Sequence, residues 1–480
     1  MKYFLLICLT AVGLASCSTP TEPSVFLDPN LKPRLVVMTD IGPAEVEPDD
    51  NESAVRLMSY ADSYEIEAII TTVGWNCDPY PSDWAAYLTR VVDAYGQDVP
   101  NLMKRSGQTE FKSLEQEQSE PQALGYWPSV EYIRSRCMMG SQRAGIGVIG
   151  PDNVSEGSNA IIRLVDEEDE RPIYFCAWGS ANTLAQAIWQ VKQERSEAEL
   201  KAFLHKCRLY TITDQDMQWS MRMQRDYSAH QWLRQEFADD LMLVWDESAW
   251  LNQNELGKQN WAKYQAQIQL RGQLGKNYPN FLWGVEGDTP SFLHCMPNGL
   301  NDPDDPSQVG WGGVHLFGLS PDSLTMAWTN WQQPLKDISN GYEQTFYPSE
   351  FNDFAARMQW AAVGVGNHNP IAKAVPVDNG RFPVRIKAKA GEQVVLDLSA
   401  SSDPDGDALH FSWWAQVLPD QSLEGLSWKC KMDDDGHEIP SVITLDIPGD
   451  FSAKTIHMIG EVHDRGPFQL VSYKRFIIEL

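Results

Sequence analysis

The chain reads as an α/β domain built on a mostly parallel sheet, followed by a smaller β-sandwich. Three observations predict this. Between residues 34 and 283, near-continuously apolar runs alternate with stretches of helical periodicity, the pattern of parallel strands buried on both faces. Around residues 364–377, at Gly366-Asn367-His368-Asn369-Pro370, the alternation stops. Beyond it, short strand-like runs are separated by turn clusters such as Ser401-Ser402-Asp403-Pro404-Asp405-Gly406-Asp407, which suits a sandwich of roughly one hundred residues.

Taken in order, the first residues predict export. Lys2 precedes an apolar run over residues 3–14, too short to span a bilayer. Leu14-Ala15-Ser16-Cys17 then has the form of a lipobox and resembles bacterial lipoprotein signals. Residues 1–16 are expected to leave as a signal peptide, with a lipid on Cys17 anchoring a cell-envelope protein, periplasmic or surface-exposed and by preference on the outer membrane. An ordinary secretory signal with a chance cysteine is the plainer alternative. Residues 17–32, carrying Pro20, Pro23 and Pro29, read as a tether. The α/β domain is then expected over 33–366 and the sandwich over 367–480.

A strand over 34–39 runs into Asp40, a Gly/Pro-bearing turn follows, and Asp49 and Asp50 open a helix over 51–60. Further strands are expected at 66–73, 173–178, 209–212 and 241–245, with helices at 82–95 and 183–193. In the sandwich, strands are expected at 384–386, 393–398, 409–414, 456–462 and 471–478.

Open α/β sheets bind ligands at the carboxyl ends of their strands, where Asp40, Asp49 and Asp50 would gather. Three carboxylates packed together repel unless a cation lies between them, and an all-oxygen set suits Ca²⁺ or Mg²⁺. The plainer alternative makes one of Asp49 and Asp50 a helix N-cap, which leaves Asp40 unexplained.

The formal net charge of −28 argues against a nucleic-acid partner. It fits a neutral glycan or a cation-requiring site. Eighteen tryptophans suggest stacking surfaces as well as core. Cys77, Cys137, Cys176, Cys207, Cys295 and Cys430 show no paired spacing, so a zinc site is not expected and one or two disulfides are left open.

Three more segments belong on the same rim. Residues 71–76 end in Asn76, residues 177–184 form a strand-to-helix turn containing Asn182, and residues 285–290 carry Asp288. Each alone also reads as turn or cap chemistry. Together they resemble the nucleoside hydrolases, and more closely the nucleoside-hydrolase-like family of exported bacterial proteins labelled cellulose-binding, which also ends in a β-sandwich. The resemblance implies Ca²⁺ held by Asp40, Asp50, Asp288 and the main-chain carbonyl of Asn182. It makes Asp40 the general base for the water on that ion. Asp49 and Asn76 become sugar contacts, with Asp214 and Asp216 placed where further ones would lie.

The sequence departs from the nucleoside hydrolases in three ways. Met38 stands where they carry an aspartate, the loop from Asp40 to Asp49 is longer, and Asn182 replaces a threonine. These differences count against free nucleosides as substrate, and export, the tryptophan content and the family's label point to an oligosaccharide or sugar conjugate. The loop over 298–315 is long and turn-rich, and is expected to roof the pocket with Trp311 stacked on a sugar, or else to bury Trp311 beneath it. His294 and His315 are the candidate acids. Asp403, Asp405 and Asp407 read as a solvated turn before a structural Ca²⁺ site, and one of Trp413 and Trp414 as core with the other facing glycan or a neighbouring domain. The favoured function is Ca²⁺-dependent glycoside hydrolysis; the rival is a carbohydrate-binding lipoprotein without catalysis.

Overall fold

Eight strands form one sheet in the computed structural model, which describes residues 27–216, 228–419 and 421–480. The expected signal peptide, Cys17 and most of the tether lie outside the described residues. The strands are β1 (Arg34–Thr39), β2 (Glu65–Thr71), β3 (Cys137–Met139), β4 (Ile173–Ala177), β5 (Cys207–Ile212), β6 (Met242–Asp246), β7 (Leu316–Leu319) and β8 (Met326–Thr329). Their order is β3-β2-β1-β4-β5-β6-β8-β7, and every pairing is parallel except β7 with β8. Strand β1 shows why these runs are apolar throughout. Leu35 and Val37 enter the core on one face, Val36 and Met38 the core on the other, so neither register of side chains can be polar.

The order reverses at β1. The chain runs outward to β2 and β3, then returns on the other side of β1 as β4. Such a switch point opens a crevice beyond the carboxyl ends of the two flanking strands. Asp40 leaves β1 directly into it.

The C-terminal region contains β9 (Val384–Lys387), β10 (Gln393–Asp397), β11 (His410–Ala415), β12 (Ser427–Met432), β13 (Glu438–Asp446), β14 (Thr455–His463) and β15 (Val471–Glu479). They form two sheets, β10-β13-β12 and β11-β14-β15-β9, antiparallel but for β9 with β15. Leu396, Ile443 and Leu445 from one sheet and Met458, Val462 and Phe476 from the other share one core, so this is the expected sandwich. Trp413 packs on Phe476, and Trp414 packs on Tyr342 and Phe346 of the first domain. The second tryptophan therefore serves domain docking. The six cysteines among the described residues are free thiols, which removes the disulfides left open above.

A buried seam joins the two parts. Arg475 donates to the carbonyls of Leu300 at 2.6 Å and Val309 at 3.0 Å, and Gln416 accepts from the Val309 N–H at 2.9 Å. Trp311 is 3 % exposed in this seam and donates its indole N–H to the Tyr473 hydroxyl at 3.3 Å. The loop over 298–315 thus glues the domains together and does not roof a pocket. Trp311 is corrected from sugar platform to interface core.

Candidate active site

Backbone contacts at the switch point fix Asp40. The Met38 carbonyl accepts from the N–H groups of Trp178 and Gly179 at 2.8 and 3.0 Å, and the Ser180 N–H donates to Val73 at 2.8 Å. The turns after β2 and β4 are thereby drawn against the end of β1. Glycine is required at both. A Cβ on Gly74 would lie 1.8 Å from Asp40 Oδ2, and one on Gly179 would lie 2.8 Å from Oδ1. The carboxylate fills the space the two missing side chains leave. Met38 itself packs in the core, which is what the position of the missing family aspartate does here.

The long loop is ordered. Asn51 donates to the carbonyls of Gly42 at 2.9 Å and Glu47 at 2.8 Å, and the Tyr80 hydroxyl to that of Ile41 at 2.9 Å. Pro48 starts the helix Pro48–Ser59, as proline's fixed φ favours at a first turn. The fold of the loop returns the Glu47 carboxylate to the crevice, where it accepts from the Asn76 side-chain amide. The Thr39 hydroxyl donates to Asp50. One oxygen each from Glu47, Asp49 and Asp50 lie within 4.8 Å of one another. Glu47 is the site residue that reading the sequence missed; it lies in a proline-bounded loop without periodicity, so its direction had no signal.

Asp288 reaches the cluster from 238 residues beyond Asp50, by way of a strained residue. Glu286 has φ +57°, unusual for a non-glycine residue. Buried contacts hold it: Arg56 at 2.5 Å, Gln253 at 3.0 Å and the Tyr278 hydroxyl at 3.0 Å on its carboxylate, and Glu52 accepting from its N–H at 2.7 Å. Arg56→Ala would leave the Glu286 charge buried without its partner. Such a change is expected to cost about 3 kcal/mol of stability, measured by denaturant unfolding. A loss under roughly 1 kcal/mol would mean that the pair does not hold the Asp288 turn.

Burial raises every acid in the cluster, and neighbouring acids raise Asp40, Glu47, Asp50 and Asp288 further. Asp40 is held well above the usual carboxylate range by burial, then by Asp50 and Asp49. Asp288 is held there by burial, then by Asp50, Asp49, Asp40 and Glu47. Burial foremost pushes Asp50 up to about 8 and Glu47 up to about 12. Asp40 Oδ2, Asp49 Oδ1 and Asp288 Oδ2 are buried without hydrogen-bond partners. Each such oxygen costs on the order of 1–3 kcal/mol. Orphaned oxygens on mutually repelling carboxylates fit a hard divalent cation, which takes six to eight oxygen ligands when it is Ca²⁺. Asp433, Asp435 and His437 form a second acidic group, but on an exposed turn.

Other expected residues lie elsewhere or do other work. Asn182 begins the helix Asn182–Glu194 and locks its side chain to Gly145, donating to the carbonyl and accepting from the N–H, both at 3.0 Å. The Asn182 side chain therefore holds a loop. Asp216 accepts from Ser180 Oγ at 2.6 Å, the Ala181 N–H at 2.7 Å and the His230 N–H, so it ties two helix starts together. Asp214 accepts from Ser228 Oγ at 2.7 Å and the Asp216 N–H at 3.2 Å. Both are saturated and buried, hence structural and not sugar contacts.

Neither candidate acid fits. His294 Nε2 donates to the Pro303 carbonyl at 3.1 Å, and burial lowers its pKa to about 4, so at neutral pH it is uncharged and its one N–H is already engaged. His315 is fully buried 3.5 Å from Asp246. The Asp403–Asp407 turn is closed by its own backbone, with Asp405 paired to His368 at 2.9 Å.

Three aromatic side chains stand near these residues. Trp75, beside Asn76, meets Trp250 edge to face at 6.4 Å. Trp283 donates its indole N–H to the Val46 carbonyl at 3.3 Å and is 64 % exposed. A cavity of about 1940 Å³ lies on the opposite rim, between the amino ends of β5 and β6 (Arg208, Met242) and the sandwich (Val384, Phe476). It is not where an open parallel sheet does its chemistry.

A family profile described as cellulose-binding Sde182, nucleoside hydrolase-like domain, matches residues 34–315, and one described as cellulose-binding protein Sde0182, C-terminal domain, matches residues 393–480. Among solved structures the chain is similar to a nucleoside hydrolase-related hypothetical protein from Saccharophagus degradans that is associated with carbohydrate metabolism. The two share 32 % identity with a TM-score of 0.74, over 93 % of this chain and 99 % of that one. No curated protein matches.

Proposed function

Because the chain belongs to the cellulose-binding Sde182 family with a nucleoside hydrolase-like domain, we propose that it hydrolyses a glycosidic bond in an oligosaccharide or sugar conjugate, with Ca²⁺ as cofactor. The observation that carries this reading is the set of orphaned, buried oxygens on Asp40, Asp49 and Asp288. Asp40, Asp50 and Asp288 would hold the ion, with Glu47 beside them. When bound, the cation lowers the pKa of water and gathers sugar hydroxyls.

The chain's own groups do the rest. Asp40 takes the proton of the attacking water at Oδ2, held immobile between Gly74 and Gly179. Asp49, less buried than Asp40 and Asp50, accepts from a sugar hydroxyl. Asn76, whose amide N–H₂ is engaged by Glu47, offers its side-chain oxygen to another. As the glycosidic bond lengthens, positive charge grows on the sugar ring, and the surrounding carboxylates stabilise it. The departing oxygen takes its proton from solvent water, and Asp40 afterwards returns its own proton to solvent. We further propose that the protein is exported and lipid-anchored through Cys17, a reading supported by residues 1–17 alone.

A second reading, glycan capture without cleavage, is favoured by the family description itself. Sugar release from a panel of β-glucans and other glycans, with and without chelator, separates the two. Release that needs Ca²⁺ and vanishes in Asp50→Asn supports hydrolysis. Release indifferent to chelation rejects the cation, and tight binding without product after long incubation establishes capture.

A further inference from the structure

We propose that Trp283 is the platform of a sugar subsite beside the carboxylate cluster, and that the ring it receives belongs to a glucan-type chain running past the mouth of the crevice. This rests on the carbohydrate reading above and names the part of the molecule that selects the substrate. Trp283 combines exposure with fixation. Its indole N–H is tied to the Val46 carbonyl, one residue before Glu47, while the ring stays 64 % exposed. A large aromatic side chain left open to water in this way has lost its rotamer freedom already, so stacking on it costs little further entropy. It stands five residues before Asp288, on the strap that carries that carboxylate into the site.

A polar group packs against the same strap. Asn254 Oδ1 is buried and has no hydrogen-bond partner. A Cβ on Gly284 would lie 2.1 Å from the Asn254 side chain, and one on Gly287 would lie 3.1 Å from both Asn254 Oδ1 and Asp49 Oδ2. The strap between Trp283 and Asp288 is thus bare of side chains where Asn254 and Asp49 approach it. A stacking face and the Asp49 carboxylate flank the strap, with Asn254 packed behind it. A pyranose with equatorial hydroxyls matches this set: its C–H face lies on the indole and a rim hydroxyl meets the Asp49 carboxylate. A flat nucleobase suits it less, because so open a ring covers a ligand on one face only, whereas a polysaccharide needs no more than that.

The test is calorimetric titration of cellotetraose and of inosine into the full chain, the Trp283→Ala and Trp283→Phe variants, each with Ca²⁺ and with chelator. Cellotetraose is expected to bind the unmodified protein, to bind Trp283→Ala roughly ten-fold more weakly, and to bind Trp283→Phe nearly as well as the unmodified chain. If the glycan is cleaved, Trp283→Ala should raise KM and leave kcat little changed. Cellotetraose that fails to bind the unmodified chain, or binds Trp283→Ala equally well at unchanged thermal stability, overturns the subsite. So does inosine binding that is stronger than cellotetraose binding and is lost in Trp283→Ala. Trp283-dependent binding without any cleavage would remove the hydrolase reading and leave the subsite standing; cleavage indifferent to Trp283 would do the reverse.

Discussion

Asp40→Asn is expected to slow glycosidic-bond cleavage by roughly a thousandfold or more, while making the cation-free protein more stable to heat. The two effects come from the same geometry. Asp40 is the one carboxylate wedged between Gly74 and Gly179, with Oδ2 unpartnered, so on the proposed mechanism its replacement removes both the base and a ligand. In the absence of an ion, however, burial and the neighbouring Asp50 and Asp49 oppose its charge. A neutral amide of the same shape relieves that repulsion. The rate of sugar release and the Tm in chelator check the pair of outcomes. A variant keeping more than about a tenth of the activity would show that the base is another group. A fall in the cation-free Tm would show that Asp40 is held by attractions that the cluster does not display.

Ca²⁺ is expected to raise the Tm by several degrees at pH 8 and by much less at pH 5. The sign follows from the raised acids. Asp50 rises from 3.8 to about 8 and Glu47 from 4.5 to about 12, so the folded, cation-free chain keeps protons that the unfolded chain has released. That contribution to stability is full below about pH 4 and is lost as pH rises toward 8, the value for Asp50. A cation competes with those protons, and it binds best when the carboxylates are ionised. At free Ca²⁺ near a thousand times its Kd the gain approaches about 4 kcal/mol. Thermal scans with Ca²⁺ and with chelator at the two pH values measure it. Equal shifts at both, or none at either, would mean that no cation site is built from these acids.

Some of the site was legible because strand chemistry marks it. An apolar run that must be buried on both faces cannot continue through Asp40, so its end at a sheet rim was readable without a structure. Asp49 and Asp50 followed from the helix start beside it. Glu47, Asn254 and Trp283 were not readable. Their directions depend on a loop, on the packing of the helix Ala249–Gln259, and on the strap Gly284–Gly287, none of which leaves a periodic trace. Trp311, Asp214 and Asp216 were misassigned for the converse reason: each sits near rim residues in sequence, but partners from distant segments bury it. The 29-residue helix Leu335–Val363 also escapes pattern reading, since Pro348 interrupts it and buried residues are spread around much of its circumference.

Local sequence alone determined the alternation of strands and helices, the sandwich that follows, and three carboxylates at the end of β1. It did so because burial on a strand or helix face imposes a short repeat that neighbouring residues must obey. Tertiary structure alone decided that Asp288 joins those carboxylates through the strained Glu286 turn, that Glu47 swings in from the loop, and that Trp311 belongs to the seam between domains. Those outcomes hang on the direction of single side chains across hundreds of residues, and only packing against distant partners sets such directions.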